Sequence, residues 1–395
     1  MEFKSAYDLL APQRIVFGWG RRREVGRWAR TLGTRAFVVS GSRTLESSGQ
    51  LGTLYDDLRE AGVEVVELGV ISREPLVEDV DTFTGRIRAA RADTRDGDVV
   101  IGIGGGAAID LAKAVSAMAT NTGSATVKDY LEGVGAGLQL NTDPLPTVAV
   151  PTTAGTGSEA TKNGVISNHE PPFKKSLRSD RMVPRVAIVD PELSVSLPPE
   201  TTAHTGMDAL TQLIESYISR RAQPIPQALA LEGLRVGAPC LSDAVHNGSH
   251  REVREAMAHA ALLSGLALAN SGLGMAHGVA PALGIHCDVP HGLACAVMLP
   301  ATLRANLGVR ERELATVGEI LTGRRFTNQL EAARYCVEKI EELCENIGIP
   351  SRLGSVGVSA VDIPAIVKSS RGNSMNGNPR EISDEELTTI LEGML

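Results

Sequence analysis

The stretch "VVIGIGGGAAIDLAKAV" (99–115) joins an apolar run to three consecutive glycines and then to a helical pattern. A short, uninterrupted run of β-branched residues is typical of a buried strand. Gly104, Gly105 and Gly106 allow a tight turn straight into the helix, whose N-terminus offers unpaired N–H groups and a positive dipole end to a phosphate. The stretch therefore predicts a strand–turn–helix unit that binds an anion, although a tight turn without a ligand has the same pattern.

This turn matches neither of two common phosphate motifs. The third glycine of GxGxxG falls on Ala107, and no Gly-Lys-Ser/Thr of a P-loop follows. A second loop, "PTTAGTGSEAT" (151–161), also follows a strand and carries hydroxyl side chains suited to phosphate and ribose contacts. Two polar, glycine-containing loops at strand ends favour a dinucleotide site, with a simple Ser/Thr turn as the alternative for the second loop.

The rest of the chain predicts two domains. Strand-like runs occupy 36–40, 63–68, 98–104, 147–151 and 185–190, and helical patterns occupy 50–61, 77–93 and 107–119. This alternation predicts an α/β domain over 1–190 with a mostly parallel sheet and helices on both faces. After residue 191 the pattern is almost entirely helical, which predicts an all-α domain over 191–395 with helices at 207–220, 226–242, 250–270, 292–306 and 328–347.

Composition excludes several classes of protein. The chain has 395 residues and a net charge of −8 from interspersed charges, which argues against a nucleic-acid partner. Its apolar runs stay well short of the roughly 20 residues of a membrane span, and the start lacks a signal-peptide pattern. Five cysteines without a CxxC pair fit a reducing cytoplasm better than a disulfide framework.

A metal site is suggested by "GMDALTQLIESY" (206–217) together with two downstream histidines. Asp208 and Gln212 are four residues apart and project from one helical face. His277 and His291 would lie about 21 Å apart on one unbroken helix, but Pro281, Gly284 and Pro290 between them predict a break and a fold-back. One carboxylate and two imidazoles suit Fe²⁺ or Zn²⁺, whereas the histidine pair alone favours two structural histidines.

Taken together, five motifs resemble the iron-containing (metal-dependent, group III) alcohol dehydrogenase family. They are "GGGAAIDLAK", "PTTAGTGSEAT", "RVAIVDPEL", "GMDALTQLIESY" and "GLGMAHGVA…VPHG", in family order over roughly residues 10–390. The resemblance implies a Rossmann-like NAD(P)-binding α/β domain followed by a helical metal-binding domain of the dehydroquinate synthase-like type. It also implies hydride transfer between the nicotinamide and a small alcohol or aldehyde, and a homodimer or larger homo-oligomer.

Site residues follow from the resemblance position by position. Asp208, His277 and His291 match three metal ligands and are the expected catalytic set. Gln212 stands where the family usually has a fourth ligand, His, and is expected to assist as a weaker metal ligand. The positions that match nucleotide-contacting residues are Gly104, Gly105, Gly106, Asp110, Thr152, Thr153, Thr156 and Lys174.

Three departures from the family pattern affect the chemistry. The neutral Gln212 amide is a poorer ligand than imidazole, so we expect weaker metal binding. Pro281 replaces a histidine that often lies near the nicotinamide, which leaves the proton route to water, the ribose 2′-hydroxyl or another residue. Gly41 takes the place of the acid that usually ends the first strand and is followed by Ser42 and Arg43, so the sequence favours NADP, with NAD as the alternative.

Two other functions are compatible with the architecture. A dehydroquinate synthase or glycerol dehydrogenase relative shares it, but cyclase chemistry needs a cluster of basic residues that the expected site lacks. A non-catalytic nucleotide-binding relative with a weakened metal site would explain Gln212 and Pro281. The retention of Asp208, His277, His291 and both loops argues against it.

Overall fold

The computed structural model describes residues 6–41, 43–91 and 97–395, and these divide into two compact units. The first, called here the sheet unit, comprises Leu10–Thr153 and Ser158–Ser196. The second, the helical unit, comprises residues 6–9, Ala154–Gly157 and Leu197–Leu395. Ser42, one of the expected cofactor residues, lies outside the described residues, and so does the side chain of Arg43.

The sheet unit contains a parallel sheet, as predicted, but the sheet has six strands rather than the five predicted runs, because Arg14–Phe17 adds an edge strand. The strands of this unit are β1 (Arg14–Phe17), β2 (Arg35–Ser40), β3 (Glu64–Val70), β4 (Asp98–Gly104), β5 (Thr147–Pro151), β6 (Asn163–His169), β7 (Pro172–Arg178) and β8 (Val186–Val189). The order across the sheet is β1-β8-β5-β4-β2-β3, with every neighbouring pair parallel. β6 and β7 form a separate antiparallel pair that the sequence analysis did not predict.

Helices cover both faces of this sheet, also as predicted. They are α1 (Val25–Arg30), α2 (Arg43–Ser47), α3 (Gln50–Glu60), α4 (Val77–Ala90) and α5 (Gly106–Thr120). Side chains of β2 alternate between two cores: Ala36 and Val38 pack with α1 and α3, whereas Phe37 and Val39 pack with α4 and α5. Because both faces are buried, β2, β4 and β5 read as continuous apolar runs rather than alternating ones.

The strand order places a topological switch beside β2. From β2 the chain moves to β3 on one side and then to β4 on the other. The loops that leave the carboxyl ends of β2 and β4 therefore diverge, and such a crevice is where open α/β sheets bind ligands. Gly41 follows β2 and Gly104 ends β4, so the first predicted nucleotide loop and the Gly41 segment expected to select the cofactor both begin at this switch.

The helical unit consists of helices and connecting segments, which confirms the second predicted fold. Its helices are α6 (Pro199–Ile218), α7 (Pro224–His246), α8 (Arg251–Asn270), α9 (Met275–Cys287), α10 (His291–Asn306), α11 (Glu311–Thr322), α12 (Gln329–Asn346), α13 (Ile363–Ser369) and α14 (Asp384–Glu392). The prediction started α6 too late, because proline is tolerated in the first turn and α6 begins at Pro199.

In the described residues no single helix is long and apolar enough to cross a membrane. The bent pair α8 and α9 passes the same test of length and composition when the two helices are taken together.

Candidate functional site

One buried face of α6 supplies the polar side chains of the candidate metal centre. Asp208, Gln212 and Glu215 follow at spacings of four and three residues, which places them on adjacent turns of the same face. All three are at most 3% exposed. The Gln212 side chain makes a hydrogen bond to Asp208. Buried polar groups of this kind are costly unless they are paired, so this face of α6 is built around partners from other helices.

The predicted fold-back brings both histidines to Asp208. His277 lies in the first turn of α9, and His291 begins α10 after a break at Asp288, whose φ is 55°. His277 Nε2 is 3.2 Å and His291 Nε2 is 3.9 Å from Asp208 Oδ1. The expectation that Pro281 and Gly284 help to break the helix was wrong, because α9 continues through both to Cys287, whereas Pro290 does precede the start of α10.

Glu215 fixes the orientation of His277, and the sequence analysis missed this residue. Its Oε2 lies 2.6 Å from His277 Nδ1, and its Oε1 accepts a hydrogen bond of 2.8 Å from the backbone N–H of Ala276. A carboxylate on Nδ1 leaves Nε2 directed at Asp208, which is the arrangement found around metal-binding histidines. The available signal was the spacing of seven residues from Asp208, which returns to the same helical face.

The charges of this cluster shift its pKa values strongly. Burial alone raises the pKa of Asp208, but the imidazoles of His277 and His291 and the Gln212 amide outweigh it and hold that pKa below its usual value. Burial likewise opposes protonation of His277, yet Cys295, Asp208 and Glu215 raise the pKa of His277 well above its usual value. Asp208 and His277 therefore each favour the charged form of the other.

Three of the four predicted ligands have a spacing that fits a divalent ion. Ligand atoms about 2.0–2.2 Å from a tetrahedral ion are separated by roughly 3.4 Å. The separations of 3.2 Å and 3.9 Å from Asp208 Oδ1 bracket that value, and the ring centroids of His277 and His291 are 5.6 Å apart. Asp208, His277 and His291 converge closely enough to bind one ion.

Gln212 is at the site, but its oxygen faces elsewhere. Gln212 Oε1 lies 2.7 Å from Ser264 Oγ, and the same hydroxyl lies 2.8 Å from the Ala261 carbonyl oxygen. A hydroxyl has one hydrogen, so it donates to one of these oxygens at a time. In the observed orientation the amide nitrogen of Gln212 is the group that can donate to Asp208.

A fourth potential ligand, Cys295, was also missed. It follows His291 by four residues on α10, and its Sγ is 3.7 Å from His291 Nε2. The sulfur and the ligand atoms of Asp208, His277 and His291 all lie within 4.8 Å of one another. Burial raises the pKa of the Cys295 thiol to about 11. The same four-residue spacing that singled out Gln212 would have identified it.

At the predicted nucleotide-binding turn, the backbones of Gly41 and Gly104 approach each other closely. Gly104 has a φ of 155°, and a Cβ there would lie 2.8 Å from both the Cα of Gly41 and the Cβ of Ala108. A Cβ on Gly41 would lie 2.6 Å from the same Ala108 Cβ. Gly105 precedes α5, which Gly106 begins, so the N-terminus of that helix opens directly onto the switch point. Any side chain at Gly41 or Gly104 would fill this space, as expected of a cradle for phosphate.

The second loop lies against the first. The backbone N–H of Thr152 donates to the Gly104 carbonyl oxygen at 2.9 Å. A Cβ on Gly105 would lie 3.3 Å from Thr153 Cγ2. Thr156 belongs to the Ala154–Gly157 segment of the helical unit.

Two expected cofactor residues have structural partners. Asp110 on α5 accepts a 2.9 Å hydrogen bond from the Val165 N–H and pairs with the buried Lys113 at 3.2 Å. Its carboxylate therefore connects α5 to β6. Lys174 on β7 is ion-paired with Glu74.

Two further histidines lie in the helical unit, outside the Asp208–His277–His291 cluster. His286 makes a 2.8 Å hydrogen bond with Ser369. His204 lines a cavity of about 490 Å³ in the helical unit, and burial lowers its pKa. This cavity is bordered by Pro290, next to the predicted ligand His291, but Asp208, His277 and His291 are not among its lining residues.

Comparison with known proteins gives consistent matches over the whole chain. The family model described as iron-containing alcohol dehydrogenase matches residues 12–191, and the model of the C-terminal part of that family matches residues 202–395. The 1,3-propanediol dehydrogenase of Klebsiella pneumoniae is 37% identical over 97% of each chain. The NAD-dependent methanol dehydrogenase of Bacillus methanolicus is 32% identical over 98% of this chain and 100% of its own. A crystal structure of a 1,3-propanediol oxidoreductase superposes with a TM-score of 0.91 at 35% identity, covering 99% of this chain and 100% of that one.

Proposed function

The chain belongs to the iron-containing alcohol dehydrogenase family and is a nicotinamide-dependent oxidoreductase of alcohols and aldehydes, and we propose that Asp208, His277 and His291 bind its divalent metal. The observation that carries this proposal is the convergence of the three side chains from α6, α9 and α10. Fe²⁺ and Zn²⁺ are the ions that this donor set suits.

Each residue of the centre has a distinct task in this proposal. When bound, the metal supplies Lewis-acid polarisation of the substrate oxygen, and the nicotinamide donates or accepts the hydride. Asp208 supplies a carboxylate, and its lowered pKa keeps this carboxylate ionised near neutral pH. Glu215 holds the Nδ1 proton of His277, so that Nε2 is the ligand atom. The side-chain amide of Gln212 makes a hydrogen bond to the Asp208 carboxylate and so helps to position it.

We also propose that the loops at the switch point bind the dinucleotide. Gly104, Gly105 and Gly106 place the start of α5 where a pyrophosphate can approach its N–H groups. The hydroxyls of Thr152, Thr153 and Thr156 are proposed as further contacts, together with Lys174. Asp110 supports this turn by tying α5 to the N–H of Val165.

NADP is the proposed preference over NAD. Gly41 carries no acid that would bind a ribose 2′-hydroxyl and repel a 2′-phosphate. The contact of Gly41 with Ala108 supports the proposal, because an acidic side chain at position 41 would need Ala108 to move. Ser42 and Arg43 follow directly, and a guanidinium suits a phosphate.

A cytoplasmic location and a homodimer or larger homo-oligomer remain predictions. All five cysteines are free, which suits a reducing compartment. Size-exclusion chromatography with light scattering tests the oligomeric state.

The function is tested on metal-depleted protein reconstituted separately with Fe²⁺, Zn²⁺ and Mn²⁺. Each form is assayed with NADH and with NADPH against a panel of small aldehydes, and with the oxidised cofactors against the corresponding alcohols. We expect activity to return only with a bound metal. Full activity after rigorous chelation would contradict the metal role of Asp208, His277 and His291.

A further inference from the structure

Cys295 lies close to the three proposed metal ligands, Asp208, His277 and His291. It is one helical turn after His291 on α10, is fully buried, and directs its sulfur to within 3.7 Å of His291 Nε2. Ligand atoms of a tetrahedral zinc site that includes one sulfur are separated by about 3.6 Å. A cysteine that merely fills space in a core needs no such alignment with three other donor atoms.

We propose that the Cys295 thiolate is a direct ligand of the metal, alongside Asp208, His277 and His291. The inference rests on the metal site proposed above and adds a ligand to it. Gln212 is then a positioning residue, because its oxygen faces Ser264 and its amide nitrogen faces Asp208.

A thiolate changes what the site prefers. On binding, the thiol proton leaves to solvent and the sulfur takes its place on the metal, so two anionic ligands balance the charge of a divalent ion. Sulfur ligands favour Zn²⁺ over Mn²⁺, whereas an amide oxygen favours the harder ion. Zinc sites can also expand to five ligands, which leaves a position for the substrate.

X-ray absorption spectroscopy of the zinc-reconstituted wild-type protein tests this directly. We expect one sulfur scatterer at about 2.3 Å from the zinc. The cobalt-substituted protein should show a thiolate-to-cobalt charge-transfer band in the near ultraviolet. Zinc bound at one per chain with only nitrogen and oxygen neighbours would overturn the role of Cys295 and leave the metal site standing. Failure to bind any metal would overturn both.

Matched variants give the second measurement. Cys295→Ser is compared with Cys336→Ser, which alters another fully buried cysteine, on α12. We expect Cys295→Ser to lose the cobalt band and to weaken Zn²⁺ binding by more than about 100-fold, beyond the roughly 10–100-fold loss typical of a residue that only orients a ligand. The loss for Mn²⁺ should be smaller.

The Cys336→Ser control should retain both properties, and Gln212→Ala should retain the cobalt band. Wild-type zinc affinity in Cys295→Ser would refute the proposal. If Cys295→Ser does not fold, the wild-type absorption spectrum still decides the question.

Discussion

Replacing Glu215 by glutamine tests whether this residue holds His277 in place for the metal. The carboxylate accepts from His277 Nδ1 at 2.6 Å and from the backbone N–H of Ala276 at 2.8 Å, each through a different oxygen. Glutamine has nearly the same shape but only one oxygen. Whichever way its amide turns, its NH₂ group faces one of these two donors.

The size of the effect follows from that mismatch. A buried donor left without an acceptor costs about 1–3 kcal/mol. Loss of an outer hydrogen bond to a metal ligand typically weakens metal binding by about 10–100-fold, which corresponds to roughly 1.4–2.7 kcal/mol. The second figure sets the prediction that Glu215→Gln lowers zinc affinity by between about one and two orders of magnitude, and the first predicts that it also destabilises the fold.

Zinc affinity is measured by competition with a chromophoric chelator at fixed pH. The control is Glu232→Gln, which alters an exposed glutamate on the neighbouring α7. Metal-free Glu215→Gln is also unfolded thermally, to separate general destabilisation from loss of the ligand. Zinc affinity equal to that of the control would refute the orienting role of Glu215.

Three further predictions concern other parts of the chain. Burial raises the pKa of Glu159 to about 7. The protonated carboxyl therefore makes its full contribution to stability below about pH 4.5, and this contribution is lost as the pH rises through 7. Glu159→Gln should then stabilise the protein by up to about 3 kcal/mol at pH 8 and by little at pH 4.5. Denaturant unfolding checks this, and an equal effect at both pH values would contradict it. Gly265→Ala should destabilise the protein by about 1–3 kcal/mol, because the added Cβ would lie 2.2 Å from the Gly157 carbonyl oxygen. Gly308→Ala, whose added Cβ would meet no atom within 4 Å, is the control in the same unfolding assay. Arg43→Ala should raise the KM for NADPH about tenfold and leave the KM for NADH unchanged, because one contact between a charge and the 2′-phosphate is lost. Steady-state kinetics measure both KM values, and an equal rise in both would argue against selection of NADP by Arg43.

Local pattern was enough to predict the sheet unit in outline. β4 and α5 follow from one stretch, because a β-branched run, three glycines and a helical pattern each act over a few residues. The β6–β7 pair was not predicted. Its pairing depends on the register between two polar strands, and neither strand has an apolar alternation that marks a buried face.

In the candidate metal centre, some side chains could be predicted from the sequence and others could not. Asp208, His277 and His291 were predicted from residue type, helix-breaking residues and family resemblance, and the structure brings their side chains together. Glu215 and Cys295 were missed, although both are on the same helices at spacings of seven and four residues from those ligands. Spacing shows which side chains share a face, but it does not show which face of α6 meets α9 and α10.

The fold class could be predicted from the sequence alone, and so could the two candidate nucleotide loops and three side chains of the candidate metal centre, because each prediction depends on local periodicity, turn residues or chemical type. Two side-chain orientations are seen only in the folded protein: Gln212 turns its oxygen to Ser264, and Cys295 points its sulfur at His291. Those orientations depend on how α6, α8 and α10 pack. Packing is set by many distant apolar contacts at once, so no single stretch of sequence contains it.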